Sequence, residues 1–323
     1  MTEVGELRFD GRVAVVTGAG GGLGRRYALD LAARGARVLV NDVGCAPTGD
    51  GASTAPADAV VDEIRSAGGV AMADTTDVGA PGGGDAIVGA CLDAWGRVDV
   101  VVNNAGIVRP GPVASVGRAA FEAVLATHLH GSIAVAAAAW AHMAAAGYGR
   151  IVNTSSSSVF GTDNVSTYVV AKSALIGLTT AMACDGAAAG IKVNAVMPTA
   201  MTRLTAGIPN DELRAALDAH FPPETVSPLV LLLAHADAPC SGAIFAAGGG
   251  HFARVALAIG QGHVTAELTP EAVRDAFDTV SDMAGSGFPA STDDATGFVM
   301  ARVLGPAAGP GAAHLRPPTP VRS

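Results

Sequence analysis

The chain is poor in charge and in aromatic rings. Of 323 residues, 15% are charged and 4% aromatic, with three tyrosines, two tryptophans and two lysines, Lys172 and Lys192. Basic residues number 20 against 29 acidic ones, a net charge of -9. That balance argues against nucleic acid or an anionic membrane as the main partner and leaves small-molecule chemistry as the expectation. Cysteine is scarce as well. Cys45, Cys91, Cys184 and Cys240 stand far apart, with no C-x-x-C pair and no histidine at zinc-ligand spacing, so they read as reduced, mostly packed thiols of a cytoplasmic protein without a metal site. Long apolar runs are missing: stretches such as 133–141 and 229–234 stop well short of the ~20 residues that span a bilayer. The N-terminus carries Glu3, Glu6 and Asp10 where an export signal needs a basic start and an apolar run, so neither a span nor export is expected.

What is abundant is small and apolar. Half the residues are hydrophobic and 42 are glycine. Short Val/Ile-rich runs at 13–17, 37–41, 98–102, 150–154, 191–195 and 243–247 alternate with longer alanine-rich segments suited to helices. That rhythm predicts an α/β fold with a doubly wound parallel sheet. The runs are apolar nearly throughout, as in strands covered on both faces. Segments 44–56 and 79–84 read as loops. After Gly248, Gly249 and Gly250 the rhythm ends, and Thr269 as N-cap with Pro270 at the first helical position predicts a helix running through Met283. The expected organisation is a domain over 1–250, a helical extension packed on it over 251–304, and a flexible Pro/Gly/Ala-rich tail over 305–323.

Three motifs carry chemistry. Thr17 to Gly24, Thr-Gly-Ala-Gly-Gly-Gly-Leu-Gly, follows the first run and opens a helical segment, where glycines let backbone approach a pyrophosphate at a helix N-terminus. Asp42 ends the second run, where a carboxylate meets the adenosine ribose hydroxyls and repels a 2'-phosphate; this favours NAD over NADP. Tyr168-x-x-x-Lys172 is sharper, because three tyrosines and two lysines give roughly 0.02 matches by chance. The i, i+4 spacing puts both side chains on one helical face, where an ammonium would lower the phenol's pKa from about 10 and make it an acid/base. Thirteen residues upstream, Ser155 opens a run of four serines; either it or Ser156 could bond a reacting oxygen. Asn103-Asn104-Ala105-Gly106 follows the fourth strand.

Taken together and in this order, these motifs resemble the short-chain dehydrogenase/reductase family. Further stretches, 40–44 with its long loop, Thr127-His128-Leu129-His130-Gly131-Ser132 and 269–273, are similar to the (3R)-hydroxyacyl-CoA dehydrogenase part of type 2 multifunctional enzymes, also called 17-beta-hydroxysteroid dehydrogenase type 4, over about residues 7 to 303. The resemblance implies a Rossmann fold and an NAD-dependent oxidoreductase interconverting a secondary alcohol and a ketone. A (3R)-3-hydroxyacyl-CoA is the first substrate candidate and a steroid or other bulky alcohol the second, with a non-catalytic NAD sensor outside both. It implies catalytic roles for Ser155, Tyr168, Lys172 and His128. It places the cofactor on Gly18, Gly22, Leu23, Gly24, Asp42, Asp77, Asn104, Ala105, Gly106, Tyr168, Lys172 and Pro198. His128 stands where the wider family completes its tetrad with asparagine, Thr199 stands where glycine is frequent, and 161–167 also departs from the subgroup. Arg109 and Arg203 are candidates for the CoA phosphates. The resemblance further implies a homodimer or homotetramer; because a Pro-rich tail follows this region, the subgroup's fused hydratase and sterol-carrier modules are not expected and the chain reads as a stand-alone dehydrogenase. The ending Val321-Arg322-Ser323 differs from a peroxisomal Ser-Lys-Leu signal.

Overall fold

The structure is a computed structural model that describes residues 5–202 and 210–305. The apolar runs become strands β1 (Val13–Thr17), β2 (Arg37–Asn41), β4 (Val100–Asn103), β5 (Gly149–Thr154), β6 (Ile191–Pro198) and β7 (Ile244–Gly248), joined by β3 (Val70–Asp74) and β8 (His251–Val255). They form one sheet in the order β3-β2-β1-β4-β5-β6-β7-β8. The pairings from β3 through β7 are parallel, with Val15 level with Leu39 on one side and Val101 on the other. Gly249 and Gly250 both hold positive φ, +58° and +81°, in the two-residue connection to β8. Other residue types resist that backbone, which is why a glycine pair sits there.

Helices α1 (Gly22–Ala33), α2 (Ala55–Ser66), α3 (Gly83–Trp95), α4 (Arg118–Leu125), α5 (Gly131–Ala145), α6 (Ser166–Gly186), α7 (Asp211–His220) and α8 (Ser227–Ala234) follow the strands. The continuous apolarity of the strands has a direct cause. Along β1, Ala14 and Val16 enter a core with Tyr27, Leu31, Val60, Ile64 and Leu233, while Val13 and Val15 enter a second core with Ile87, Val135, Met143 and Ile151. Alternate side chains thus bury on opposite faces, and each valine or leucine taken from water contributes about 1.5–3 kcal/mol. Two helical stretches, 118–145 and 166–189, are long and apolar enough to cross a membrane by composition. Here Val135, Ala136, Ala139, Met143 and Met182 from them are buried in the second core.

Chain contacts divide the molecule into a unit ending at Arg254 and a unit beginning at Val255. In the second, Thr269 caps as expected, its hydroxyl accepting from Ala272 N–H at 3.2 Å, and Pro270 is the first helical residue. The single helix expected through Met283 is corrected to two: α9 (Pro270–Asp275) and α10 (Phe277–Ser281), broken at Ala276, with α11 (Thr292–Leu304) following. The expected loop at 44–56 is shorter by two residues, because Pro56 sits in the first turn of α2, where proline is tolerated. The thiols are free, and Cys184 is exposed where packing was expected.

Candidate active site

Strand order reverses at β1, which has β2 on one side and β4 on the other. Helices leaving such a point diverge and open a crevice at the C-terminal strand ends. A cleft of about 490 Å³ lies there, lined by residues that follow five different strands: Gly18 and Gly22, Asp42, Asp77, Asn104 to Ile107, and Thr154 to Ser157. Leu23, His128, Tyr168, Lys172, Pro198 and Thr199 also line it.

The nucleotide end is backbone held by paired polar groups. Thr17 Oγ1 accepts from Asn104 N–H and Ala105 N–H, each at 3.1 Å, while Asn104 Nδ2 donates to the Thr17 and Gly18 carbonyls at 3.0 Å. Gly18 has φ +63°, and a Cβ on it would stand 2.7 Å from Ala105 Cα, so only glycine fits. Gly24 is corrected in role: it is absent from the cleft lining, and a Cβ there would lie 2.3 Å from the Gly18 carbonyl oxygen. It lets α1 pack against the first loop. The first turn of α1 has no side-chain cap and no acidic residue, leaving its N–H groups for an anion. Asp42 is 5% exposed and accepts from Gly20 N–H and Gly44 N–H, both at 2.7 Å. Asp77 accepts from Gly79 N–H at 2.8 Å. This bare helix start, backbone cradle and ribose-side carboxylate suit a dinucleotide.

At the other end α6 presents Tyr168 and Lys172 one turn apart. Lys172 is 3% exposed; its Nζ donates to the Thr154 carbonyl at 2.5 Å and lies 5.5 Å from the Tyr168 ring centre. Burial lowers its pKa to about 7. Tyr168 reverses the expectation of a lowered phenol pKa. Burial holds it above the ordinary value, with only the Ser156 hydroxyl pulling the other way. The Lys172 ammonium, which donates to a backbone carbonyl and lies over the ring, does not offset that burial. The two serines differ locally: Ser155 Oγ donates to the Lys172 carbonyl at 2.8 Å, anchoring the helix, while it is the Ser156 hydroxyl that pulls the Tyr168 pKa down.

His128 lies in a π-helical turn, Ala126–His130, and is 1% exposed. Such turns cluster at functional sites. Its Nε2 faces both the Ile107 N–H at 3.0 Å and the Ile107 carbonyl at 2.8 Å, and its ring meets Tyr168 edge-on at 5.4 Å between centres. Gly106 makes room, since a Cβ there would be 2.4 Å from the imidazole. Burial, then the charge of Lys172, lowers its pKa to about 3, while the Ile107 bond opposes them. The imidazole is therefore neutral. Arg109 does not line the cleft; its Nε donates to the Thr48 carbonyl at 3.2 Å, and its guanidinium lies 3.8 Å from Asp50. Arg203 lies outside the described residues. Sequence reasoning named Thr17 as the start of the glycine motif but not its hold on Asn104 and Ala105, and it missed Ile107, whose peptide takes the histidine.

Residues 12–212 match the family described as short chain dehydrogenase. The mouse peroxisomal multifunctional enzyme type 2 is 40% identical over 299 residues, 91% of this chain but 40% of that protein, so the chain spans well under half of it. The full-length Drosophila melanogaster enzyme of the same name has a solved structure that superposes at TM-score 0.75 with 34% identity, over 91% of this chain and 49% of that one. A 7α-hydroxysteroid dehydrogenase complexed with NADH and 7-oxo glycochenodeoxycholic acid superposes at TM-score 0.69 with 28% identity, over 77% of this chain and 98% of that one.

Proposed function

The chain belongs to the short-chain dehydrogenase family, and from that premise we propose that it oxidises a (3R)-3-hydroxyacyl-CoA to the 3-oxoacyl-CoA with NAD. The observation that carries the reaction is Tyr168 and Lys172 on one face of α6, at the end of a cleft whose opposite features suit a dinucleotide. The likeness to type 2 multifunctional enzymes supports the substrate, and Asp42 supports NAD over NADP. The 7α-hydroxysteroid dehydrogenase neighbour keeps a bulky steroid alcohol as the second reading.

A bound oxidised nicotinamide supplies the hydride acceptor and a positive charge. Tyr168, above its ordinary pKa, is a proton donor at neutral pH; to accept the substrate's hydroxyl proton it needs neighbouring positive charge to stabilise the phenolate. Lys172 supplies one such charge, and with a pKa of about 7 it can also lose and regain a proton at working pH. Ser156, beside the tyrosine oxygen, bonds the substrate oxygen. Neutral His128 braces the tyrosine ring without competing for the proton.

Stereochemistry tests the reading. The tyrosine oxygen and the nicotinamide face fix where oxygen and hydrogen must point, so one epimer places its hydride away from the acceptor. NADH formation is measured with both epimers of a 3-hydroxyacyl-CoA and with a steroid alcohol. Activity with the 3R epimer supports the proposal; activity confined to the steroid overturns its substrate, and NADH binding without turnover on any alcohol would leave a sensor.

A further inference from the structure

Between β2 and α2 the chain makes a closed loop, residues 44–53, that the floor of the cleft and the tyrosine leave unexplained. Its neck is pinched: Ser53 N–H donates to the Val43 carbonyl at 2.9 Å, and Gly44 N–H donates to Asp42 Oδ1 at 2.7 Å. At Gly44, φ +70°, a Cβ would stand 2.0 Å from the Ser53 carbonyl oxygen. Inside, Ala46 N–H donates to the Asp50 carbonyl at 2.8 Å, Gly49 N–H to the Ala46 carbonyl at 2.9 Å, and Thr48 Oγ1 to Asp50 Oδ2 at 2.8 Å. Ends held together and an interior bonded to itself define an Ω-loop.

The tip of this loop is tied to the segment after β4. Val108 N–H donates to the Pro47 carbonyl at 2.9 Å, and Arg109 reaches the Thr48 carbonyl and the Asp50 carboxylate. Gly49 presses so closely that a Cβ there would be 2.9 Å from Ile107 Cδ1. Cys45, Ala46, Pro47, Gly49 and Gly51 line the same cleft as the glycine loop. On its other side the segment is fixed to the catalytic helix, because the Arg109 carbonyl accepts from Thr167 Oγ1 at 3.0 Å. The loop's neck therefore hangs on the ribose-side carboxylate, and its tip on a segment anchored beside Tyr168.

We propose that Arg109 is a positioning residue that clamps the 44–53 loop over the bound dinucleotide and so sets how fast the cofactor leaves. The proposal rests on the dinucleotide reading of the cleft. The chemistry suits a clamp that opens: the Arg109 side chain is 37% exposed, its bond is to a carbonyl and its ion pair is long, so release to water strands no buried charge. The loop's backbone bonds at the neck survive such an opening.

Stopped-flow release of NADH, or of NADPH if titration shows that it binds instead, tests this in the full chain. Arg109→Ala is expected to release the cofactor about 5-fold faster, consistent with the loss of one hydrogen bond and a weak ion pair, and to raise KM for the cofactor more than it changes kcat. Arg109→Lys, which keeps a cationic donor, restores part of the difference. Proteinase K is expected to cut within 44–53 faster in Arg109→Ala than in the parent, with the bound dinucleotide slowing the cut. Equal release rates and equal cleavage in parent and variant would overturn the clamp while leaving the dinucleotide reading intact. Absence of binding of either dinucleotide to the parent would overturn both.

Discussion

The two ends of the cleft are built on opposite terms. At the nucleotide end the side chains that shape the loop are paired: Thr17 Oγ1 takes two N–H donors, Asn104 gives to two carbonyls, and both Asp42 oxygens are engaged. At the catalytic end, His128 Nδ1 and Thr154 Oγ1 are buried without a hydrogen-bond partner among the described residues, and Tyr168, Lys172 and His128 are all moved off their ordinary pKa values by burial. Binding a rigid anion needs only a fixed shape, which self-satisfied hydrogen bonds provide at little cost. Moving a proton needs groups held near the edge of ionisation, and burial supplies that at the expense of stability. Substitutions at the two ends should therefore fail differently, one in rate and the other in affinity.

The largest effect belongs to the catalytic end. Tyr168→Phe removes the phenol oxygen and leaves the ring that packs against His128. Turnover with the best alcohol substrate should fall by ~100-fold or more with cofactor affinity nearly unchanged. Fluorescence titration beside steady-state rates separates the two. A comparable loss of affinity would mean that the tyrosine shapes the nucleotide end too, and the contrast would dissolve.

A smaller effect is expected at Asp42. The parent should prefer NAD to NADP by at least ~10-fold in kcat/KM, because a carboxylate at the ribose repels a 2'-phosphate. Asp42→Ala should narrow that gap. It should also raise KM for both dinucleotides, since Gly20 and Gly44 lose the acceptor that holds their loops. Parallel KM measurements with the two cofactors check this; an unchanged ratio would reduce Asp42 to a loop anchor.

The nucleotide end was far more legible in the sequence than the catalytic end, and the reason is physical. Glycine spacing after a strand reports backbone geometry, which is local, so Gly18, Gly22 and Asp42 could be placed before any contact was known. The strands were legible because both faces are buried, and the exceptions confirm the cause. β3, an edge strand that reads Val-Ala-Met-Ala-Asp with Val70 exposed, and β8, which reads His-Phe-Ala-Arg-Val, have no Val/Ile-rich run. Ionisation is not local. The depression expected of Tyr168 took its lysine neighbour into account but not its burial, which comes from the whole fold and holds the phenol above its ordinary value. The same holds for the serines: spacing singled out Ser155, yet its hydroxyl is claimed by the Lys172 carbonyl across the fold. Arg109, read as a surface cation for phosphates, turned out to be committed to the 44–53 loop, a contact that spans sixty-one residues of chain.

The smallest effect is thermodynamic, and it isolates His128. With a folded pKa of about 3 against 6.5 for the free side chain, the unfolded chain takes up a proton as pH falls through 6.5 while the folded chain does not. The stability held by keeping this imidazole neutral is thus complete above pH 6.5 and is lost progressively as pH falls toward 3. Lys172 acts in another window: its folded pKa of about 7 against 10.5 makes stability rise between pH 7 and 10.5, and below pH 6 both of its states are protonated. Between pH 6.5 and 5.5, His128 should therefore cost about 1 kcal/mol. His128→Asn removes the titration and can still serve Ile107, since an amide offers both an acceptor for its N–H and a donor for its carbonyl. Urea unfolding of parent and variant at pH 6.5 and 5.5 should show the parent losing about 1 kcal/mol more than the variant across that interval. Equal losses would mean that the imidazole reaches protons in the folded state, and the catalytic end would then be less sealed than its burial indicates.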